Sequence, residues 1–346
     1  MAISSPRTIL IITIVLLISL ALSGCTGQGG RDDDVSSIST DFHKGTEGLR
    51  LQFVEKAPPP VIYDTPGTGG LGNPEIVVVA EVHNRGAVDT DAYIYLGGFD
   101  NTIIGLPNEY EENPLPLIGR SIYNADGELR IIQFPTSNGA DIAGGYIQLP
   151  PNTDRYQPKL QMTACYDYWT EASPIVCVAL NPYRITNKQA CRPGTVRGTF
   201  GGQGAPVAIT GVKAEVIPGE VIFKIGISNS GKGRVIDYLT TQGSGFSGYQ
   251  CPYNLDYMNL NNVEYEVIFQ RNIITSQNTD PGSSMHCQPD KVKLSNGKGL
   301  LYCRFPLDPT QESAYETTVE INLHYGYMDT IYKQLDIRAI GKDAGH

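Results

Sequence analysis

The chain has little charge, few histidines and one tryptophan. Of its 346 residues, 18% are Asp, Glu, Lys or Arg, and only five are His. No Cys-x-x-Cys pair and no His-Glu-x-x-His motif occurs, so the common zinc-site spacings are missing. We therefore expect no metal and no cofactor. The formal net charge of -10 argues against nucleic acid as a partner, since phosphates would be repelled.

Motifs of catalysis are missing as well. The glycine- and serine-rich residues 243–248 lack the spacing of a nucleophile elbow, and a flexible loop explains them. The glycine-rich residues 198–204 precede no Lys-Ser/Thr pair, so they do not match a phosphate-binding loop. A hydrolase would need Ser, His and carboxylate groups that nothing in the sequence brings together. We expect a protein that is not an enzyme.

Helical periodicity is nearly absent. The 38 Gly, 23 Pro and 20 Tyr favour strands and turns, and turn signals recur every ten residues or so. The sequence predicts an all-β fold of two tandem immunoglobulin-like antiparallel sandwiches. The predicted domains are residues 46–195 and 205–341, joined by a Gly-rich linker at 196–204.

One long hydrophobic run is present, residues 9–22, and it ends in Leu22-Ser23-Gly24-Cys25. The run is shorter than the roughly 20 apolar residues of a spanning helix, and small residues before a cysteine are typical of a lipoprotein signal. Residues 1–24 are therefore predicted as a lipoprotein signal peptide, or as an uncleaved membrane anchor. Cys25 is the predicted lipid attachment site, and residues 25–45 form an acidic tether. Either way, the remainder is predicted to lie at the cell surface, held to the membrane.

Six further cysteines favour disulfides, because an even number outside the cytoplasm usually pairs. These cysteines are Cys165, Cys177, Cys191, Cys251, Cys287 and Cys303.

Positions along the chain suggest a pairing. Cys165 and Cys177 lie symmetrically about a predicted turn, and Cys287 and Cys303 flank a second turn. That leaves Cys191 with Cys251, one from each domain. Since each domain holds three cysteines, full pairing needs at least one bridge between them.

Two segments repeat in the same order. Residues 76–86 align with residues 221–231, placing Asn84 on Asn229 and Gly86 on Gly231. Later, the strand that ends in Tyr166-x-Tyr168 aligns with the one that ends in Tyr325-x-Tyr327. Matched opening and closing signals favour a duplicated domain over the general similarity of any two β-domains. Two hairpins are also predicted, over residues 121–132 and 292–303, each around a Gly-containing turn.

The first of these segments, with its Asn84-x-Gly86, resembles the opening of CARDB-type and related immunoglobulin-like modules of prokaryotic surface proteins. Further stretches, including Cys165-Tyr166-x-Tyr168 and the glycine-rich residues 201–207, look like two-domain surface proteins of archaea. The similarity extends over most of residues 43–340. It implies an extracellular β-sandwich scaffold and supplies no catalytic residues.

Aromatic residues are the candidate contacts, because a tyrosine ring combines an apolar face with a hydroxyl group. The candidates are Trp169, Tyr249, Tyr253 and Tyr257. The alternative is that the tyrosines pack a loop onto the sandwich and that the tryptophan fills the core.

These observations predict a lipid-anchored surface protein that binds without catalysis, as an adhesion or envelope-assembly scaffold. The expected partners are the membrane, through the N-terminal anchor, and a protein or glycan of the envelope. The alternative is an accessory subunit that captures a sugar or peptide for an envelope enzyme or transporter. A deep tyrosine-lined pocket between the domains would favour the capturing subunit, and flat convex surfaces would favour the scaffold.

Overall fold

A computed structural model describes most of the chain after residue 39. The described residues are 40–64, 75–106, 114–135, 145–179, 190–192, 194, 196–197, 203–238, 251–252, 255–278, 282–307 and 314–340. The predicted signal peptide, Cys25 and most of the predicted tether lie outside them. Residues 41–346 form one compact unit. In the described part, no helix is long and apolar enough to cross a membrane.

The fold is all-β, as predicted. The described residues of the first half, 40–197, contain one short 3-10 helix, η1 (Thr40–His43), and twelve strands. The strands are β1 (Leu49–Phe53), β2 (Val61–Asp64), β3 (Glu75–Ile76), β4 (Val78–Asn84), β5 (Thr90–Gly97), β6 (Leu115–Leu117), β7 (Leu129–Phe134), β8 (Gly145–Tyr146), β9 (Arg155–Tyr156), β10 (Lys159–Ala172), β11 (Ile175–Val178) and β12 (Val196–Arg197).

The second half, residues 203–340, has the 3-10 helix η2 (Tyr257–Asn259) and eleven strands in its described part. The strands are β13 (Val207–Ile217), β14 (Glu220–Asn229), β15 (Arg234–Ile236), β16 (Asn262–Phe269), β17 (Asn272–Thr275), β18 (His286–Gln288), β19 (Val292–Lys293), β20 (Lys298–Pro306), β21 (Tyr315–Thr318), β22 (Glu320–Gln334) and β23 (Asp336–Ala339).

Each half contributes a smaller sheet of its own, and one larger sheet joins them. The sheets within one half have the orders β1-β4-β7 and β13-β14-β20-β18. Three further short sheets, β12-β11-β21, β2-β23-β9 and β3-β8, contain the remaining described strands, and in them β2 runs parallel to β23, contrary to the predicted antiparallel fold. The larger sheet has eight strands, with β17-β16-β22-β10-β5-β6 as its main path and β15 and β19 beside it. Alternate residues of β4 and of β16 are buried, which is the period-two pattern of a strand with one face on a core. The predicted domains therefore share a continuous sheet.

A pseudo-two-fold axis runs through the β10–β22 ladder. These strands pair antiparallel over 14 residues, and the axis passes through the pair Asp167–Gly326. In every pair of this ladder the two residue numbers add up to 493, and the same holds for β11 with β21 and for β9 with β23. Thus β11 of the first half pairs with β21 of the second, and β23 of the second half pairs with β9 of the first, at positions related by the axis.

The repeated motifs make the same hydrogen bonds in both halves. The Asn84 amide donates to the Val88 carbonyl at 2.8 Å, and the Asn229 amide to the Gly233 carbonyl at 3.0 Å. The Asn84 side-chain oxygen accepts from the Gly86 amide, and the Asn229 side-chain oxygen accepts from the Gly231 amide. These hydrogen bonds stabilise the two turns in the same conformation, because each asparagine side chain mimics a backbone turn.

Four tyrosines, two from each half, surround the axis: Tyr166, Tyr168, Tyr325 and Tyr327. All are buried, and neighbouring ring centroids lie 5.8–6.3 Å apart. Each hydroxyl accepts a backbone N–H at 3.0–3.2 Å, which satisfies the polar end of a buried ring. The tyrosines therefore fasten each half to the central ladder.

Three disulfides are formed, but only Cys287–Cys303 is the pair that the sequence predicted. These two residues are register partners on β18 and β20. The predicted pair Cys165–Cys177 is wrong, because β11 leaves β10 after the turn and pairs with β21 of the other half.

The predicted pair Cys191–Cys251 is wrong as well. Cys177 bonds to Cys191 within the first half, and Cys165 bonds to Cys251 across the halves. The expectation of one bridge between the halves is confirmed, with a different partner. Cys165 and Cys251 pack with Tyr95 and Ile236 in a second, small core on the outer face of the large sheet.

Neither predicted hairpin forms as two paired strands. Residues 121–124 make a turn, and β7 pairs with β4, where Ile132 and Phe134 become buried. In the second case β19 pairs with β16 while β20 pairs with β14 and β18. A single bridge, Ser295–Lys298, closes that turn.

Candidate functional site

The predicted contact residues do not gather at one loop tip. Trp169 lies within β10 and is half-buried in the middle of the large sheet, next to a pocket of about 310 Å³. Because Trp169 lies within a strand, it is not at a loop tip, and because it is half-buried, it does not fill the interior of the main core. Tyr249 and Tyr253 lie outside the described residues.

Trp169 belongs to a cross-strand row with His324 of β22 and Glu264 of β16. The His324 ring also contacts that of Tyr238, with centroids 5.7 Å apart. Burial lowers the pKa of His324, although the nearby carboxylates of Glu266, Glu264 and Glu171 oppose the shift. Within the described residues, no three His, Cys, Asp or Glu side chains converge to hold a metal ion.

Tyr257 is a predicted contact residue whose ring contacts a lysine that lines a groove. It begins η2 and is 76% exposed. The Lys293 ammonium lies 4.5 Å from its ring centroid and donates to its carbonyl at 3.1 Å. Lys293 in turn lines the groove, so the ring and the groove are linked through one side chain.

This groove, here called the basic groove, has a volume of about 580 Å³ and crosses the outer face of the sheet β13-β14-β20. Gly226 forms its floor, because the absence of a side chain there leaves a depression beside Thr210. Gly299 of β20 also lines it. A β-bulge at Ile209–Gly211 bends β13 beside it. The remaining lining residues are Thr210, Ile227, Ser228, Lys293, Lys298 and Leu300.

Cations predominate on this face. Lys298 pairs in register with Ser228, and Lys224 with Tyr302. The Lys224 ammonium lies 5.5 Å from the Tyr302 ring centroid. The charged side chains on the outer face of these strands and at the groove are Lys213, Lys224, Lys293, Lys298, Arg304, Glu215 and Glu220.

The acidic members of this group are already paired. Lys213 bonds to Glu215 at 2.7 Å and holds the pKa of that carboxyl below its usual range. Arg304 lies 3.4 Å from Glu220. The local excess of positive charge therefore comes from Lys224, Lys293 and Lys298, on a chain whose net charge is -10.

Sequence reasoning missed these lysines because they are far apart along the chain. Lys224 and Lys298 are 74 positions apart and meet only through the pairing of β14 with β20. The alternating pattern of β14 places Lys224, Gly226 and Ser228 on one face, and this is the signal that could have pointed to them.

A second cavity, of about 350 Å³, lies where β1, β22 and the Asn229–Gly231 turn meet. Asp329 lines it together with Glu47, Arg50 and Lys232. The Tyr166 hydroxyl donates to Asp329 at 2.7 Å. Burial, the largest cause, raises the pKa of Asp329 to about 6; the bond from Tyr166 opposes the shift and Glu47 adds to it.

The two-fold partner of Asp329 is Thr170. Thr170 contacts the Tyr325 hydroxyl at 2.9 Å, just as Asp329 contacts that of Tyr166. A neutral hydroxyl group therefore performs in one half what a buried carboxyl group performs in the other. The carboxyl group brings a pH dependence that the duplicated position lacks.

Replacing Asp329 with Asn should stabilise the protein at neutral pH. Because the folded-state pKa of about 6 exceeds the ordinary 3.8, the stabilising protonation is complete below about pH 4 and is lost as the pH rises through 6. The amide keeps an acceptor for Tyr166 and stays neutral. We expect a gain on the order of 2 kcal/mol in the free energy of unfolding at pH 7.5, measured by urea titration.

The pH series supplies the control for this variant. At pH 4 the wild type and Asp329→Asn should have nearly equal free energies of unfolding, since Asp329 is then protonated. A gain of the same size at both pH values would show that the carboxyl charge is not the cause.

Comparison with protein-family models gives no match to this chain, and comparison with curated proteins gives none either. The resemblance to CARDB-type modules therefore stays a prediction.

Proposed function

We propose that this protein is a lipid-anchored binding protein of the cell envelope, which displays a rigid β-structure without catalysing a reaction. The observation that supports it best is the set of three disulfides, one of which joins the two halves. Disulfides form and persist in oxidising, extracytoplasmic surroundings. In this proposal Cys25 carries the lipid and the acidic tether gives the protein reach.

Each half is, in this proposal, an immunoglobulin-like module, and the pair arose by duplication. The matched hydrogen bonds of Asn84 and Asn229 support the duplication. The 14-residue β10–β22 ladder and the Cys165–Cys251 bond join the modules more tightly than a linker would. A stiff display unit suits adhesion or assembly, because little conformational entropy is lost when it binds.

If Cys25 carries the lipid, its replacement should move the whole protein out of the membrane fraction. Replacing Cys25 with Ser removes the thiol that lipidation requires, so the chain should leave the membrane fraction. We expect the wild type in membranes and Cys25→Ser in the soluble extracytoplasmic fraction, compared by fractionation and intact mass. The control is Ser23→Ala, which keeps Cys25 and leaves a small residue at position 23. Retention of Cys25→Ser in membranes would contradict lipid anchoring, since an uncleaved anchor needs no thiol.

A capturing subunit is the second candidate, and the basic groove favours it. Ligand pockets have volumes of about 300–1,000 Å³, and the basic groove at about 580 Å³ lies within that range. Crosslinking on intact cells separates the two candidates. A scaffold should crosslink to a structural envelope component, whereas a capturing subunit should crosslink to an enzyme or transporter.

A further inference from the structure

We propose that the basic groove binds an acidic glycan, a polysaccharide segment whose sugar rings carry carboxylates. The inference rests on the proposed binding role and names the chemistry of the ligand.

The floor excludes strand addition. Gly226 lies on β14, in the interior of the sheet, where β13 on one side and β20 on the other already use the backbone hydrogen bonds. A peptide strand adds to a sheet at an edge, through free backbone groups. A depression over Gly226, where no side chain projects, offers an open surface instead, which suits a flat ring.

The cations select the charge of the ligand. Lys293 and Lys298 line the basic groove, and Lys224 lies next to them on the same face. Lys224 and Lys293 are each held against a tyrosine ring, so they are already partly ordered. An anion that binds here meets a local positive field on a protein that is acidic as a whole.

The exposed apolar surface favours a sugar ring over a bare anion. Leu300 is 47% exposed and Tyr302 43% exposed, and both lie on the groove face of β20. Tyr257, the predicted contact residue, lies beyond Lys293. A tyrosine ring can cover the C–H face of a sugar while its hydroxyl meets the polar edge. Carboxylates on such rings would then reach the lysines.

The experiment uses the full-length chain in a neutral detergent, with oligogalacturonate as the probe and isothermal titration as the readout. We expect saturable binding that weakens as salt is added. Lys298→Glu and Lys224→Glu should each weaken it about tenfold, since reversal replaces an attraction by a repulsion. Tyr302→Ala should weaken binding without changing the salt dependence.

A matched control exists on the large sheet. Lys159 lies 4.2 Å from the Tyr332 ring centroid, so Lys159→Glu reverses the charge of a similar Lys–Tyr pair away from the basic groove. It should leave the affinity unchanged. Neutral dextran should not bind, and dextran sulfate, a single-stranded oligonucleotide and phosphatidylglycerol vesicles should bind more weakly than oligogalacturonate.

Two results would overturn the inference. One is no binding of oligogalacturonate by a wild-type chain whose unfolding is normal. The other is binding that the groove variants leave intact, or that every polyanion matches. Neither affects the proposed anchoring and display, which are tested separately through Cys25 and the crosslinked partner.

Discussion

Replacing Gly86 with Ala should destabilise the protein by roughly 3 kcal/mol, although only one methyl group is added. An added Cβ would overlap the Tyr168 hydroxyl and lie 2.9 Å from the Gly204 carbonyl oxygen. The hydroxyl cannot move aside freely, because it accepts from the Val88 amide and donates to that same carbonyl. Relief of the overlap therefore breaks buried hydrogen bonds.

Urea unfolding followed by the fluorescence of Trp169, the single tryptophan, measures this effect. Gly211→Ala is the matched control, since a Cβ there meets nothing within 4 Å and should change the free energy of unfolding by less than about 0.5 kcal/mol. Gly86→Ala combined with Tyr168→Phe should recover part of the loss. Equal stabilities of the two single glycine variants would refute the close-approach argument.

The two-fold partner gives an independent check. At Gly231 an added Cβ would overlap the Tyr327 hydroxyl and approach Pro206. Gly231→Ala should therefore lower the free energy of unfolding as Gly86→Ala does, and adding Tyr327→Phe should recover part of that loss. The agreement of the two halves would follow from their common hydrogen bonds, since both hydroxyls accept a backbone N–H from the turn.

The equivalence of these glycines could be predicted from the sequence because it is local. Asn84 and Gly86 are two residues apart, and the turn they form depends on the asparagine side chain and on the lack of a glycine side chain. The same holds for Tyr166 and Tyr168, whose spacing places both rings on one face of β10. Short-range patterns of this kind identified both repeats and the all-β fold.

Pairing between distant strands could not be predicted in this way. The turn after β10 looks like a hairpin, yet β11 joins β21, more than a hundred residues later. Every local feature of a hairpin is present, and the outcome depends on the pseudo-two-fold contact between the halves. The wrong disulfide pair Cys165–Cys177 has the same origin, because that pairing requires β11 to fold back on β10.

The basic groove could not be predicted from the sequence for a related reason. Its lysines come from β14, β19 and β20, and the net charge of -10 masks a local excess of positive charge. The sequence indicates Tyr257 through its aromatic ring, whereas its contact with Lys293 depends on the packing of η2 beside β19. Composition describes the average surface, whereas binding depends on one face.

Removing the bond between Cys165 and Cys251 should cost more than removing either of the other disulfides. The loop it closes spans 86 residues, compared with 14 and 16 for the other bonds. The entropy of the unfolded chain rises with the length of the released loop, giving about 4.5 kcal/mol for this bond and about 3 kcal/mol for a short one. The double variant Cys165→Ala/Cys251→Ala tests this by urea unfolding, with Cys177→Ala/Cys191→Ala as the matched control.

The same variant should also affect the basic groove. Leu255 and Leu260 pack against the small core around Cys165 and Cys251, and η2 with Tyr257 lies between them. Without the disulfide this segment loses its covalent attachment, so Tyr257 should hold Lys293 less firmly and oligogalacturonate should bind more weakly. The control variant removes a disulfide far from η2 in sequence and should keep its affinity. Equal losses of stability and of affinity in both double variants would show that the inter-half bond has no special role.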